Sequence, residues 1–159
     1  MSIKLTQNNI PMVESQSLQL VLASAQVHEK IALYLSNTLK NKGYKLASPS
    51  VLNFLSTLEC GINFGSEIAR TLGVSRQMVA KTVKELCQAG YLVQREGKGK
   101  QKEICFTLVG EQLMSEARQL LAEIDLQLTA TVGQATLEKT VTELQHIQQL
   151  ITQLTTHGE

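Results

Sequence analysis

Between Ser75 and Lys102 the chain gathers side chains suited to one kind of chemistry. They can hydrogen-bond planar heterocycles and neutralise a polyanion. The cations there are Arg76, Lys81, Lys84, Arg95, Lys98, Lys100 and Lys102, against the anions Glu85 and Glu96, a local balance of +5. The remaining residues carry eight cations and twelve anions, or −4, so the formal +1 of the whole chain hides the asymmetry. A basic patch on a mildly acidic body is the footprint of a nucleic-acid binder.

The spacing inside the patch sharpens this. At about 100° per residue, Gln77, Lys81, Lys84 and Gln88 fall on one face of a helix, and Val79, Val83 and Leu86 fall on the other. One face packs and the opposite face offers amides and ammonium groups, which suits a DNA major groove. There Gln pairs with adenine edges, and Arg or Lys with guanine. Arg76 and Gln77 occupy the first turn, where recognition helices commonly reach bases. Lys81 and Lys84 suit bases and phosphates equally, and spacing does not choose between them. The plainer reading of this face is solvated surface. The Gly73-Val74-Ser75 turn before it and the hairpin after it weigh against that.

The elements that must hold these groups can be traced from the punctuation of the chain. Residues 1–14 show no period and read as a loose arm. Residues 15–41 read as a long amphipathic helix, with Leu18, Val21, Leu22, Ala25, Ala32, Leu35 and Leu39 at three- and four-residue steps. Gly43 stops it. Ser48-Pro49 starts a second helix, Ser as N-cap and Pro at the first helical position. It runs to Glu59 with Val51, Leu52, Leu55 and Leu58 inward. Residues 66–73 read as a short third helix capped by Ser66. Ile68, Ala69 and Leu72 form its apolar face, and Ala69 is small enough for a close crossing. Gly73 permits the tight turn, Val74 plugs the space beneath it, and Ser75 caps a fourth helix that stops at Gly90.

The period then changes. Tyr91-Leu92-Val93 and Ile104-Cys105-Phe106-Thr107 are β-prone, and Gly97-Lys98-Gly99-Lys100 between them is turn chemistry. This is a two-stranded hairpin with a basic tip. From Gly110 helical spacing returns, with Leu113, Ala117, Leu120, Leu121, Ile124 and Leu128 in a fifth helix. Gly133 breaks it. Leu137, Val141, Leu144, Ile147, Ile151 and Leu154 mark a sixth, at roughly coiled-coil spacing. Such a stripe can be intrachain core or a seam between two chains, and its narrowness favours the seam.

The totals agree with a mainly α chain. It has 159 residues, 43% apolar, only 4% aromatic and no Trp, which suits helix-on-helix packing in a single domain over 1–159. No apolar run approaches the ~20 residues of a membrane span, and no secretion signal is visible. Three cysteines, Cys60, Cys87 and Cys105, cannot all pair within the chain. With no CxxC among them, a reduced, cytoplasmic setting is the simpler reading. His28, His146 and His157 do not cluster with carboxylates at ligand spacing, so neither a metal nor another cofactor is expected. Glu116, Glu123 and Asp125 read as solvated helix charges. No triad, metal cluster or phosphate loop supports an enzyme.

Helix, glycine turn, helix, hairpin is the order of a winged helix-turn-helix. The segment GSEIARTLGVSRQMVAKTVKELCQAGYLVQRE (65–96), within 48–128, resembles the corresponding part of the MarR family of regulators. Phe106-Thr107 with Gly110 is similar to that family's Leu-Thr-x-x-Gly passage from wing to fifth helix. The flanking long helices fit as well. The resemblance implies a winged helix-turn-helix lobe over 48–108. It also implies dimerisation helices over 15–42 and 110–155 that intertwine in a homodimer through Leu18, Val21, Leu137, Val141, Leu144, Ile147, Ile151 and Leu154. It implies a small-molecule effector site between the dimerisation helices and the DNA-binding lobe, although so few aromatics argue against a large phenolic pocket. Some relatives sense oxidants through a Cys in the first helix, and this chain has none there.

One departure stands out. The family wing usually carries an Asp-x-Arg or Asp-Arg-Arg element whose Arg enters the minor groove. Here the stretch is Gly97-Lys98-Gly99-Lys100-Gln101-Lys102, without the acidic anchor or the wing Arg. Lysine is a point charge lacking the guanidinium fork, so weaker sequence readout by this wing is expected. The resulting expectation is a homodimeric repressor or activator that contacts double-stranded DNA through Ser75, Arg76, Gln77, Lys81, Lys84, Gln88, Arg95, Lys98, Lys100 and Lys102 at a near-palindromic operator. The altered wing motivates one alternative, a winged-helix protein-interaction module without sequence-specific DNA binding.

Overall fold

A computed structural model describes residues 14–97 and 99–156. The expected arm, apart from its last residue, lies outside the described residues, as do Lys98 and His157. The element order is α1 (Gln16–Asn41), α2 (Pro49–Glu59), α3 (Gly65–Leu72), α4 (Arg76–Gln88), β1 (Leu92–Glu96), β2 (Lys102–Phe106), α5 (Leu108–Val132) and α6 (Gln134–Thr156). The chain forms two compact units that meet in sequence between Ala117 and Arg118, within α5.

The first unit owes its helix starts to serine. The hydroxyls of Ser15, Ser48 and Ser75 accept from the amides of Leu18, Val51 and Met78, at 3.3, 3.3 and 3.1 Å. Each satisfies an amide that the helix itself leaves unpaired. Pro49 stands at the first position of α2, where its missing N–H costs nothing. Gly73 closes α3 in the left-handed region at φ 65°, and the Val74 amide donates to Ala69 O at 3.0 Å. Gly90 closes α4 in the same way at φ 85°, with Tyr91 N donating to Leu86 O at 2.9 Å.

Core residues of this unit come from every element: Leu39, Leu52, Phe54, Leu55, Leu58, Ile68, Val79, Val83, Leu86, Leu92, Ile104 and Leu113 are all buried. Ala69 is buried at the α3 crossing as its small size suggested. Phe54, absent from the expected inward set of α2, is buried beside Leu55. α1 contributes only Ser36 and Leu39 to the fully buried set, and its expected apolar positions Val21, Leu22 and Ala25 are exposed.

Three boundaries differ from the sequence reading. Ser66 does not cap α3. The helix begins one residue earlier, at Gly65, with Phe64 at the N-cap position and no side-chain cap. The cause is tertiary: Phe64 forms an antiparallel bridge with Glu103, which holds it extended at φ −112°, ψ 134° until the chain turns. The hairpin is longer than its apolar runs. β1 reaches Glu96 and β2 starts at Lys102, with Arg95 opposite Glu103 and Glu96 opposite Lys102. Opposite charges facing across the ladder let it continue through polar residues.

The third difference is α5, which starts at Leu108 rather than Gly110. Thr107 explains this. Its backbone N donates to Tyr91 O at 3.0 Å, its hydroxyl donates to Gly90 O, and the same hydroxyl oxygen accepts from Gly110 N at 3.1 Å. One threonine thus ends the hairpin and caps the helix. Gly110 is then required by space, since a Cβ there would collide with Tyr91 O.

The second unit holds the remainder of α5 and α6, joined at Gly133, whose φ is 86°. Along α6, Leu137 and Ile147 are half-buried, whereas Val141, Leu144, Ile151 and Leu154 are exposed.

Candidate nucleic-acid interface

The fourth helix sorts its side chains as the 100° arithmetic requires. Val79 and Val83 are 3% exposed and Leu86 is 0%, so that face is sealed into the first unit. Gln77, Lys81, Lys84 and Gln88 are exposed on the other side, and Arg76, which the same arithmetic puts roughly 20° from Val83, is exposed at the start of the helix. Ser75 is exposed too, with its hydroxyl engaged by the Met78 amide. Lys81 lies 3.9 Å from Glu85 one turn on, with both side chains at least half exposed. That pair is weak enough for Lys81 to leave it for a phosphate.

The wing brings a second set of cations beside the helix. An open groove runs between α4 and the hairpin, and Arg76, Ala80, Gln94, Lys100 and Lys102 stand along it with Ser66. Arg76 enters from the helix, Lys100 from the turn and Lys102 from β2. Sequence distance separates these cations, and the fold brings them to one concave, basic surface. Lys81, Lys84, Gln88 and Arg95 are exposed but do not line this groove. No described helix is long and apolar enough to cross a membrane.

Three residues on or beside these elements escaped the sequence reading. Met78 is 58% exposed beside Lys81. The same helical arithmetic places it roughly 60° from Lys81, but its apolar character hid it. Asn63 and Glu103 are joined by a side-chain hydrogen bond of 2.5 Å. No sequence signal marks that pair, because forty residues separate its members.

The thiols stand apart from this chemistry. Cys60, Cys87 and Cys105 are free; Cys60 is exposed and the other two are half-buried. Burial pushes the Cys87 thiol up from its ordinary range. Burial likewise pushes up the Tyr91 phenol, against the opposing pull of a hydrogen bond with the Lys45 backbone. Among the described residues, no group of three or more His, Cys, Asp or Glu side chains is placed to hold a metal ion.

These elements define a winged helix-turn-helix flanked in sequence by long helices. Solved structures with the same arrangement are MarR-family transcriptional regulators. One from Methanosarcina mazei matches 88% of this chain and 94% of its own at a TM-score of 0.72 and 12% identity. A MarR/EmrR-family regulator from Acinetobacter matches 87% and 99% at 0.66 and 19%. The Staphylococcus aureus MepR–DNA complex matches 86% and 98% at 0.63 and 14%. No family model matches the chain, and no curated protein sequence does. The chain has the fold of the MarR-family regulators at a sequence identity where fold alone is shared.

Proposed function

We propose that this chain is a sequence-specific DNA-binding transcriptional regulator, working as a homodimer on a near-palindromic operator. The observation that carries the reading is the groove in which Arg76 of α4 meets Lys100 and Lys102 of the wing. A helix of 13 residues is about 20 Å long, enough to lie along a major groove about 12 Å wide. Gln77 and Arg76 in its first turn are the base readers, and Lys81, Lys84 and Gln88 follow the DNA major groove. Arg95, Lys98, Lys100 and Lys102 take the flanking backbone and minor groove. A protein of this fold, MepR, has been captured on DNA, which supports the same use here.

The apolar stripe of α6 supports the homodimer. Val141, Leu144, Ile151 and Leu154 keep 41–62% of their surface in water in the single chain. With Leu137 and Ile147 they form a stripe that a second copy would cover. Leu18 and Val21 on α1 join the same role. Two recognition helices related by a two-fold axis would meet half-sites about 34 Å apart. The same dimer offers the place for an effector, which regulates only by binding two dimer states with different affinity.

Selection of purified protein on a pool of random duplexes, at low and at physiological salt, tests the reading. The expected result is enrichment of a near-palindrome with affinity that falls steeply as salt rises. Binding without enrichment would make the protein an architectural reader. No binding at either salt would favour the protein-interaction module.

A further inference from the structure

The wing is fastened to the helix-turn-helix by a short segment ahead of α3. Asn63 O accepts from Ile104 N at 2.9 Å, and Phe64 bridges Glu103. The Phe64 ring also packs under the tip, 3.0 Å from where a Cβ on Gly97 would stand. To these contacts the side chains add one bond, from Asn63 Nδ2 to Glu103 Oε1, both residues half-buried. We propose that Glu103, held by Asn63, is a positioning residue that sets where the wing cations stand relative to α4. This rests on the reading of the groove as a duplex-binding surface.

The geometry explains why a carboxylate is kept in an unfavourable place. Glu103 sits directly opposite Arg95 in the ladder, one residue from Lys102. A negative charge there weakens attraction to phosphate, so its removal by itself should tighten duplex binding. Its compensating role is mechanical. Asn63 immediately precedes Phe64, the N-cap of α3, and α3 leads through the Gly73 turn into α4. A hydrogen bond between Asn63 and β2 therefore ties Arg95, Lys100 and Lys102 to the helix pair that carries Arg76. Without it the hairpin is free to hinge about its backbone bonds, and the groove opens.

Two substitutions separate charge from tether. Glu103→Ala and Glu103→Gln remove the same charge, but only the glutamine keeps an acceptor for Asn63. We expect the alanine variant to bind a random-sequence duplex about tenfold more weakly than the glutamine variant, the worth of one hydrogen bond. Its salt dependence should be shallower by about 0.9 for each phosphate the wing no longer reaches. Asn63→Ala, which changes no charge, should bind about tenfold more weakly than the unaltered protein, and that charge-matched comparison replaces the first if Glu103→Ala does not fold. In a Lys100→Ala/Lys102→Ala background the difference between Glu103→Ala and Glu103→Gln should shrink, because most of what is positioned is gone. Amides of residues 94–96 and 102–104 should exchange hydrogen faster in Glu103→Ala and Asn63→Ala than in Glu103→Gln. Equal affinity, slope and exchange in the alanine and glutamine variants would overturn the proposal. If the unaltered protein binds no duplex, the DNA reading fails. Hydrogen exchange then decides alone: equal rates overturn the positioning role and faster rates in the alanine variants retain it.

Discussion

Lys81 and Lys84 offer the sharpest test of where DNA would lie. Both are exposed on α4, and Lys81 pairs there with an exposed Glu85 at 3.9 Å. Replacing both with alanine should therefore leave folding within about 0.5 kcal/mol of the parent. If each lysine meets a phosphate, each contributes about 0.9 to the slope of log affinity against log salt. The double variant should lose about 1.8 from that slope. With equal affinity at 1 M salt, this makes the variant about sixtyfold weaker at 0.1 M. Fluorescence anisotropy on one labelled duplex across a salt series reads both numbers, and thermal melting supplies the control. A base-reading role would instead keep most of the slope and relax sequence preference. A folded double variant with unchanged affinity, slope and preference would refute the placement of α4 in the groove.

The remaining predictions concern the seam, the core and the thiols. Leu144→Lys with Ile151→Lys should turn a dimer into a monomer in analytical ultracentrifugation, because two charges would enter the α6 stripe; a dimer that survives both moves the seam elsewhere. Leu86→Ala should destabilise the protein by about 2–5 kcal/mol in urea unfolding, since that side chain is fully buried beneath the candidate reading face; a loss under about 1 kcal/mol would mean that α4 is not seated as described. Iodoacetamide at mildly alkaline pH should modify exposed Cys60 before Cys87, whose burial disfavours the reactive thiolate. Mass spectrometry of the peptides follows the order, and Cys87 reacting first would contradict its surroundings.

Much of this protein is legible without a structure because its signals are local. Ser48 and Ser75 cap the helices that follow them, and Gly73, Gly90 and Gly133 end helices by adopting positive φ. The buried and exposed faces of α4 follow from one angle per residue. These features depend on neighbours three or four positions away, so the order of residues is enough to determine them. The local rules fail where a distant partner decides. Ser66 had the chemistry of a cap, yet α3 begins before it, because Phe64 is drawn into a bridge with Glu103. The strands run past their apolar stretches, with Arg95 placed opposite Glu103 and Glu96 opposite Lys102 in the ladder. α5 starts early because Thr107 reaches back to Gly90. The basic groove and the Asn63–Glu103 tether belong to the same class. Charge and spacing announced cations on the helix and on the wing, but only packing of the hairpin against α3 brings Arg76, Lys100 and Lys102 to one surface. A hydrogen bond across forty residues leaves no periodic trace, so it appears only when the chain has closed on itself.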